Sequence, residues 1–142
     1  MNISEREIID LLVNEFWRLG YFTLSRRMGT YLPEPTAIGK FKVDVVGRQK
    51  DKYAVGIILS QNDLNDINLI GKISFLASRH SKSSKKPVTL VIGVPENDFK
   101  NVKQKINSLQ EEIKRNIKII KISENKNTNL QQNRKHLEVL FS

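Results

Sequence analysis

Lys42, Asp44, Asp63, Asp66 and Lys72 are the residues of this chain whose types and spacing could do chemistry. Asp44 ends the strand-like run Phe41-Lys42-Val43-Asp44-Val45-Val46, and Lys42 shares its face because strand side chains alternate. Asp63 and Asp66 follow a second apolar run, Ala54-Val55-Gly56-Ile57-Ile58-Leu59-Ser60, at the start of a helix that also carries Lys72. Such carboxylates suit a hard divalent cation, which takes oxygen ligands and usually one or two carboxylates. A lysine beside them could activate the attacking water. Asp44 is the candidate metal ligand, and Mg²⁺ is the cofactor if the site is active; otherwise no cofactor is expected. Each residue also has a plainer role. Asp63 and Asp66 favour the positive end of a helix, and Lys42 and Lys72 can serve as solvated charges.

A second chemistry is carried by cations. Lys and Arg number 24 against 15 Asp and Glu, a net charge of +9. A surplus of this size favours polyanionic partners when the charges cluster, and otherwise serves solubility. Arg79, Lys82, Lys85 and Lys86 cluster in the loop-like stretch 79–86 and are the first candidate phosphate contacts. Arg26 and Arg27 form a second patch, followed by a loop in which Tyr31 could stack on a base or close the core. His80 and His136 lack metal-ligand spacing and read as surface residues. Gly93-Val94-Pro95 is no phosphate loop, since the helix-opening glycines and lysine are missing. Trp17, beside Phe16, reads as core or edge packing.

The elements that must position these residues follow from periodicity. Ser4 and Glu7 form a capping box for a helix over 4–19, and Gly20 is its stop. A strand over 21–24 comes next, then a loop broken by Pro33 and Pro35. Strands over 40–48 and 53–60 are joined by a polar hairpin-like connection. Asn62 or Asp63 caps a second helix with the stripe Leu69, Ile70, Ile73, Leu76 and Ala77. Val88–Val94 is a continuous apolar run, read as a covered strand. Phe99, Val102, Ile106, Leu109 and Ile113 trace an unbroken helical stripe, and 117–122 is a last strand. Residues 1–122 thus make one domain, while 123–142 form a polar linker with a short apolar element at 136–141.

The expected fold is α/β, a central mixed sheet flanked by helices in the order α-β-β-β-α-β-α-β. A chain of 142 residues is long enough to bury a core. No apolar stretch approaches the ~20 residues of a membrane span, and the polar start is unlike a secretory signal. Absence of cysteine excludes disulfides and thiolate metal sites and fits a cytoplasmic setting.

This order, with Asp44 on one strand and a second apolar strand after it, resembles the PD-(D/E)XK nucleases, the restriction-endonuclease-like superfamily. The resemblance spans roughly residues 4–122. It implies a Glu on the first helix, for which Glu7 or Glu15 stands in the matching region, and Asp44 as the first acid. The family's acid-x-Lys falls on Ile58-Leu59-Ser60, or on Gly56-Ile57-Ile58 one pleat earlier, and neither holds an acid or a lysine. The expected function is therefore a nuclease-fold domain without the standard catalytic set, acting as a nucleic-acid-binding or regulatory module, with DNA preferred over RNA. One alternative is an active Mg²⁺-dependent endonuclease rebuilt from Lys42, Asp44, Asp63, Asp66 and Lys72. Another is a protein-interaction domain, which could homodimerise, without nucleic-acid or membrane binding.

Overall fold

The computed structural model describes residues 4–123. Ser4 caps helix α1 (Glu5–Arg18), its hydroxyl accepting the Glu7 amide at 3.2 Å, which satisfies one of the free donors of the first turn. Gly20, at φ 93°, takes a left-handed conformation that side chains rarely adopt. It turns the chain into β1 (Phe22–Arg26).

The strand expected over 40–48 is shorter, because its first residues leave the sheet. Gly39 turns at φ 60°, Ile38 and Phe41 bridge each other, and Phe41 packs against Phe75 with ring centres 5.4 Å apart. Strand β2 is Val45–Gln49. Asp44 therefore precedes a strand instead of ending one, although its amide still donates to the Gly56 carbonyl at 2.8 Å. A tight turn at Lys50-Asp51 leads into β3 (Lys52–Ile58), with Gln49 paired to Lys52.

The expected second helix is two helices, α2 (Gln61–Leu64) and α3 (Leu69–Ala77). Ser60 caps the first, in place of Asn62 or Asp63: its hydroxyl accepts the Asp63 amide at 3.2 Å, and the Asp63 carboxylate accepts the Ser60 amide at 2.8 Å. Between the helices the Asp66 side chain takes the Asn68 amide at 2.8 Å, the kind of local bond by which Asp and Asn compete with helix. Strand β4 (Thr89–Pro95) leads through a 3₁₀ turn into α4 (Phe99–Asn107), α5 (Glu111–Lys114) and β5 (Ile117–Ile122). The expected single stripe from Phe99 to Ile113 breaks at Ser108, whose hydroxyl donates to the Lys105 carbonyl at 2.6 Å. Leu109 and Ile113 still reach the same core.

The strands lie in the order β1-β2-β3-β4-β5, antiparallel across the first three and parallel across the last three. The domain is an α/β structure with a mixed sheet between helices. On one face Val55, Ile57, Leu90 and Ile92 pack with Leu69, Ile73, Leu76, Val102 and Ile106. On the other, Val45, Ala54 and Val91 pack with Ile9, Leu12 and Phe16 of α1. Strands β3 and β4 are buried along their centres. Burial on both faces explains their continuous apolar sequence. Among the described residues no helix is long and apolar enough to cross a membrane. The linker and short element expected after Ser123, with His136, lie outside the described residues.

Candidate functional site

The C-terminal end of β3 opens into a cleft of about 550 Å³ between the start of α1 and the start of α3. Lys42, Asp44, Asp63, Asp66 and Lys72 all line it, as do Ile58 and Ser60. The topology thus gathers residues that lie up to 30 positions apart in sequence (72 − 42).

The carboxylates in the cleft already have partners. One Asp44 oxygen accepts Arg27 Nε at 2.6 Å, and the other accepts the Ile58 amide at 2.7 Å. Arg27 also reaches Glu5 at 2.7 Å. Burial works against the Arg27 charge, but its hydrogen bonds to Asp44 and Glu5 outweigh this and hold the guanidinium more firmly protonated than a free arginine. Asp63 Oδ2 accepts both the amide and the hydroxyl of Ser60, at 2.8 and 3.0 Å, while Oδ1 faces Lys72 Nζ at 3.5 Å. Asp66 caps Asn68. Among the described residues, no group of three or more His, Asp or Glu side chains is placed to hold a metal ion. A Mg²⁺ ion, which takes one or two carboxylates, would have to displace Arg27 and the Ile58 amide from Asp44, or Ser60 and Lys72 from Asp63.

The helix-borne glutamate at the cleft is Glu5, where the sequence pointed to Glu7 or Glu15; Glu15 pairs instead with Arg18. The only signal for Glu5 was a place in the first turn of α1. Gly56, the earlier of the two positions for a catalytic acid, lies under α1. A Cβ there would stand 2.8 Å from Leu12 Cδ2 and 2.9 Å from Phe16 Cε1, so no carboxylate side chain fits.

Charge in the cleft is balanced. Arg27, Lys40, Lys42 and Lys72 face Glu5, Asp44, Asp63 and Asp66, four cations to four acids. Arg26 is also engaged internally, its guanidinium 2.8 Å from Asp10 and its side chain only 14% exposed. The Arg26–Arg27 pair is therefore divided between an ion pair with the half-exposed Asp10 and the cleft, and does not form one exposed basic patch.

Most of the surplus positive charge lies at the other end of the sheet. Loop 79–86 is tied to the β2–β3 hairpin: Lys86 Nζ lies 3.0 Å from the Asp51 carboxylate, and Ser84 Oγ donates to the Asp51 carbonyl at 2.7 Å. The Lys86 hydrogen bond holds the Asp51 carboxyl below its ordinary range. Segments 48–52 and 79–86 together carry Arg48, Lys50, Lys52, Arg79, Lys82, Lys85 and Lys86 against Asp51, seven cations to one acid. Lys82 and Lys85 are exposed, and Arg79 lies 5.2 Å over the Phe75 ring. The length of β3 separates the hairpin from the Asp44 cleft by about 20 Å, while Arg79 turns back over Phe75, which packs against the cleft-lining Phe41.

No protein-family model, curated protein or solved structure matches this chain.

Proposed function

We propose that this domain is a nucleic-acid-binding or regulatory module, built on a restriction-endonuclease-like frame from which the nuclease chemistry has been lost. The observation that carries the reading is the seven-to-one excess of cations in two segments joined at Asp51. A cluster of that density attracts phosphate, and its affinity falls steeply with salt as condensed counterions are no longer released to advantage. The cleft supports the loss of chemistry. Asp44 is occupied by Arg27 and the Ile58 amide, and Ile58 and Ser60 supply neither a carboxylate nor an amine.

The test is binding of labelled DNA and RNA across a salt series from about 50 mM upward. Affinity that falls linearly on logarithmic axes supports the reading, and absence of binding at the lowest salt overturns it in favour of a protein-interaction domain. One observation favours a second reading, a metal-dependent nuclease with relocated residues: Lys42, Asp44, Asp63, Asp66 and Lys72 share one cleft. Cleavage assays with Mg²⁺ and Mn²⁺ separate the two.

A further inference from the structure

Resting on the nucleic-acid reading above, we propose that the sheet face beside the hairpin, left open among the described residues, is a stacking platform for single-stranded nucleic acid. Phe22 and Arg48 would take bases, and Lys82 and Lys85 would take phosphates.

Register places the platform. Phe22 of β1 pairs with Arg48 of β2, and Arg48 pairs with Tyr53 of β3. Directly paired residues project from the same face, so the three form one row across three strands. The neighbouring pair Gly47 and Ala54 points the other way, where Gly47 meets Phe16 of α1. The row therefore stands on the face that α1 does not cover. On that face α3 and α4 pack over β3 and β4, through Val55, Ile57, Leu90 and Ile92, and among the described residues Phe22, Leu24 and Arg48 at the hairpin end of β1 and β2 stay exposed.

The residues in the row have the chemistry that bases stack on. Phe22, on the edge strand β1, is 66% exposed although it is fully apolar, and at that edge its ring meets Trp17 of α1 edge-on at 6.0 Å. The Arg48 guanidinium lies over the Tyr53 ring at 5.6 Å, which supports it as a flat cationic surface. Aromatic rings and guanidinium planes are what proteins offer to unpaired bases, alongside a basic track for the backbone. That track is adjacent: Asp51, which holds loop 79–86, is two residues from Tyr53.

The charge also decides the occupant. A second copy of this chain would bring the same cation-rich surface against its equal, seven cations to one acid on each side, and like charges in contact oppose association. A duplex would present phosphates but keep its base faces stacked inside. A single strand satisfies both the exposed ring and the surrounding cations.

The experiment measures fluorescence anisotropy of labelled oligo-dT, oligo-U and a mixed-sequence duplex with the full chain at about 50 mM salt. It compares wild type with Phe22→Ala, Arg48→Gln and Lys82→Gln/Lys85→Gln. Phe22→Ala should weaken single-strand binding about tenfold, the usual scale for removing one stacked base, with duplex binding unchanged, whereas Arg48→Gln, which also removes one of the clustered cations, should weaken single-strand binding by more than duplex binding. The lysine pair should weaken both. Trp17, the chain's single tryptophan, should lose fluorescence when a single strand binds the wild type. Either single strand bound in this way supports the platform. Duplex binding without single-strand binding overturns the platform and leaves the broader reading standing, as does a folded Phe22→Ala protein of wild-type affinity. No binding of any oligonucleotide overturns both. A Phe22→Ala change in oligomeric state with unaltered affinity assigns the face to a second copy and overturns the platform. Circular dichroism of each variant confirms the fold before binding is measured.

Discussion

Arg27 and Asp44 form an ion pair at 2.6 Å, with the Asp44 side chain 14% exposed and its second oxygen on the Ile58 amide. This pairing ties the loop after β1 to the end of β3 and occupies the carboxylate that a metal would need. Its first consequence is for stability. Asp44→Ala leaves the Arg27 guanidinium with Glu5 alone and the Ile58 amide without its acceptor, and should cost about 2 kcal/mol. Asp44→Asn keeps an acceptor for the amide and should cost less. Urea unfolding of both variants, with unchanged slope, measures the difference.

Catalysis is expected to be absent. Purified protein should not cleave duplex, single-stranded or branched DNA with Mg²⁺ or Mn²⁺. If cleavage is seen, Asp44→Ala decides its source. Loss of activity in that variant, but not on substitution of a distant surface aspartate, would establish the relocated site. Activity that survives the change comes from a contaminant.

Salt dependence should track the hairpin end and not the cleft. Replacing Arg79, Lys82, Lys85 and Lys86 together with Gln should lower duplex affinity and reduce the logarithmic salt slope by roughly 0.9 for each phosphate no longer neutralised. Arg26→Gln, which removes a partner of Asp10, should lower stability and leave the slope unchanged. A slope that responds to Arg26 and not to the loop would move the binding surface.

Two glycines should respond in opposite directions. Gly56→Ala places a Cβ 2.9 Å from Phe16 in the packed layer under α1, and should destabilise by about 1–3 kcal/mol. Gly71, within α3, has nothing within 4 Å of an added Cβ. Gly71→Ala should stabilise by about 0.5–1 kcal/mol, because alanine loses less backbone freedom in a helix. Thermal unfolding of the pair checks both signs.

The sequence by itself determined what depends on near neighbours. The Ser4 cap and the stripe Ile8, Leu11, Leu12, Phe16 and Leu19 are local periodicities, and α1 follows them within a residue at each end, although it buries Ile9 in place of Ile8 and Leu11. The apolar runs of β3 and β4 announce burial on both faces, and β5 spans the Ile-rich run 117–122 expected of it. Composition also gives the excess of positive charge. Tertiary structure decided everything that rests on distant partners. Ser60 reads as an empty catalytic position, yet it caps α2 through Asp63. Gly56 reads as a missing acid, yet it is the space that Phe16 fills from 40 residues away (56 − 16). Asp44 and Arg27 are 17 residues apart, and no pattern in the chain pairs them. The basic loop and the hairpin become one surface only because Asp51 accepts from Lys86 and Ser84, more than 30 residues on. Periodicity encodes which way a side chain faces, whereas a partner is chosen by where the sheet brings the chain back.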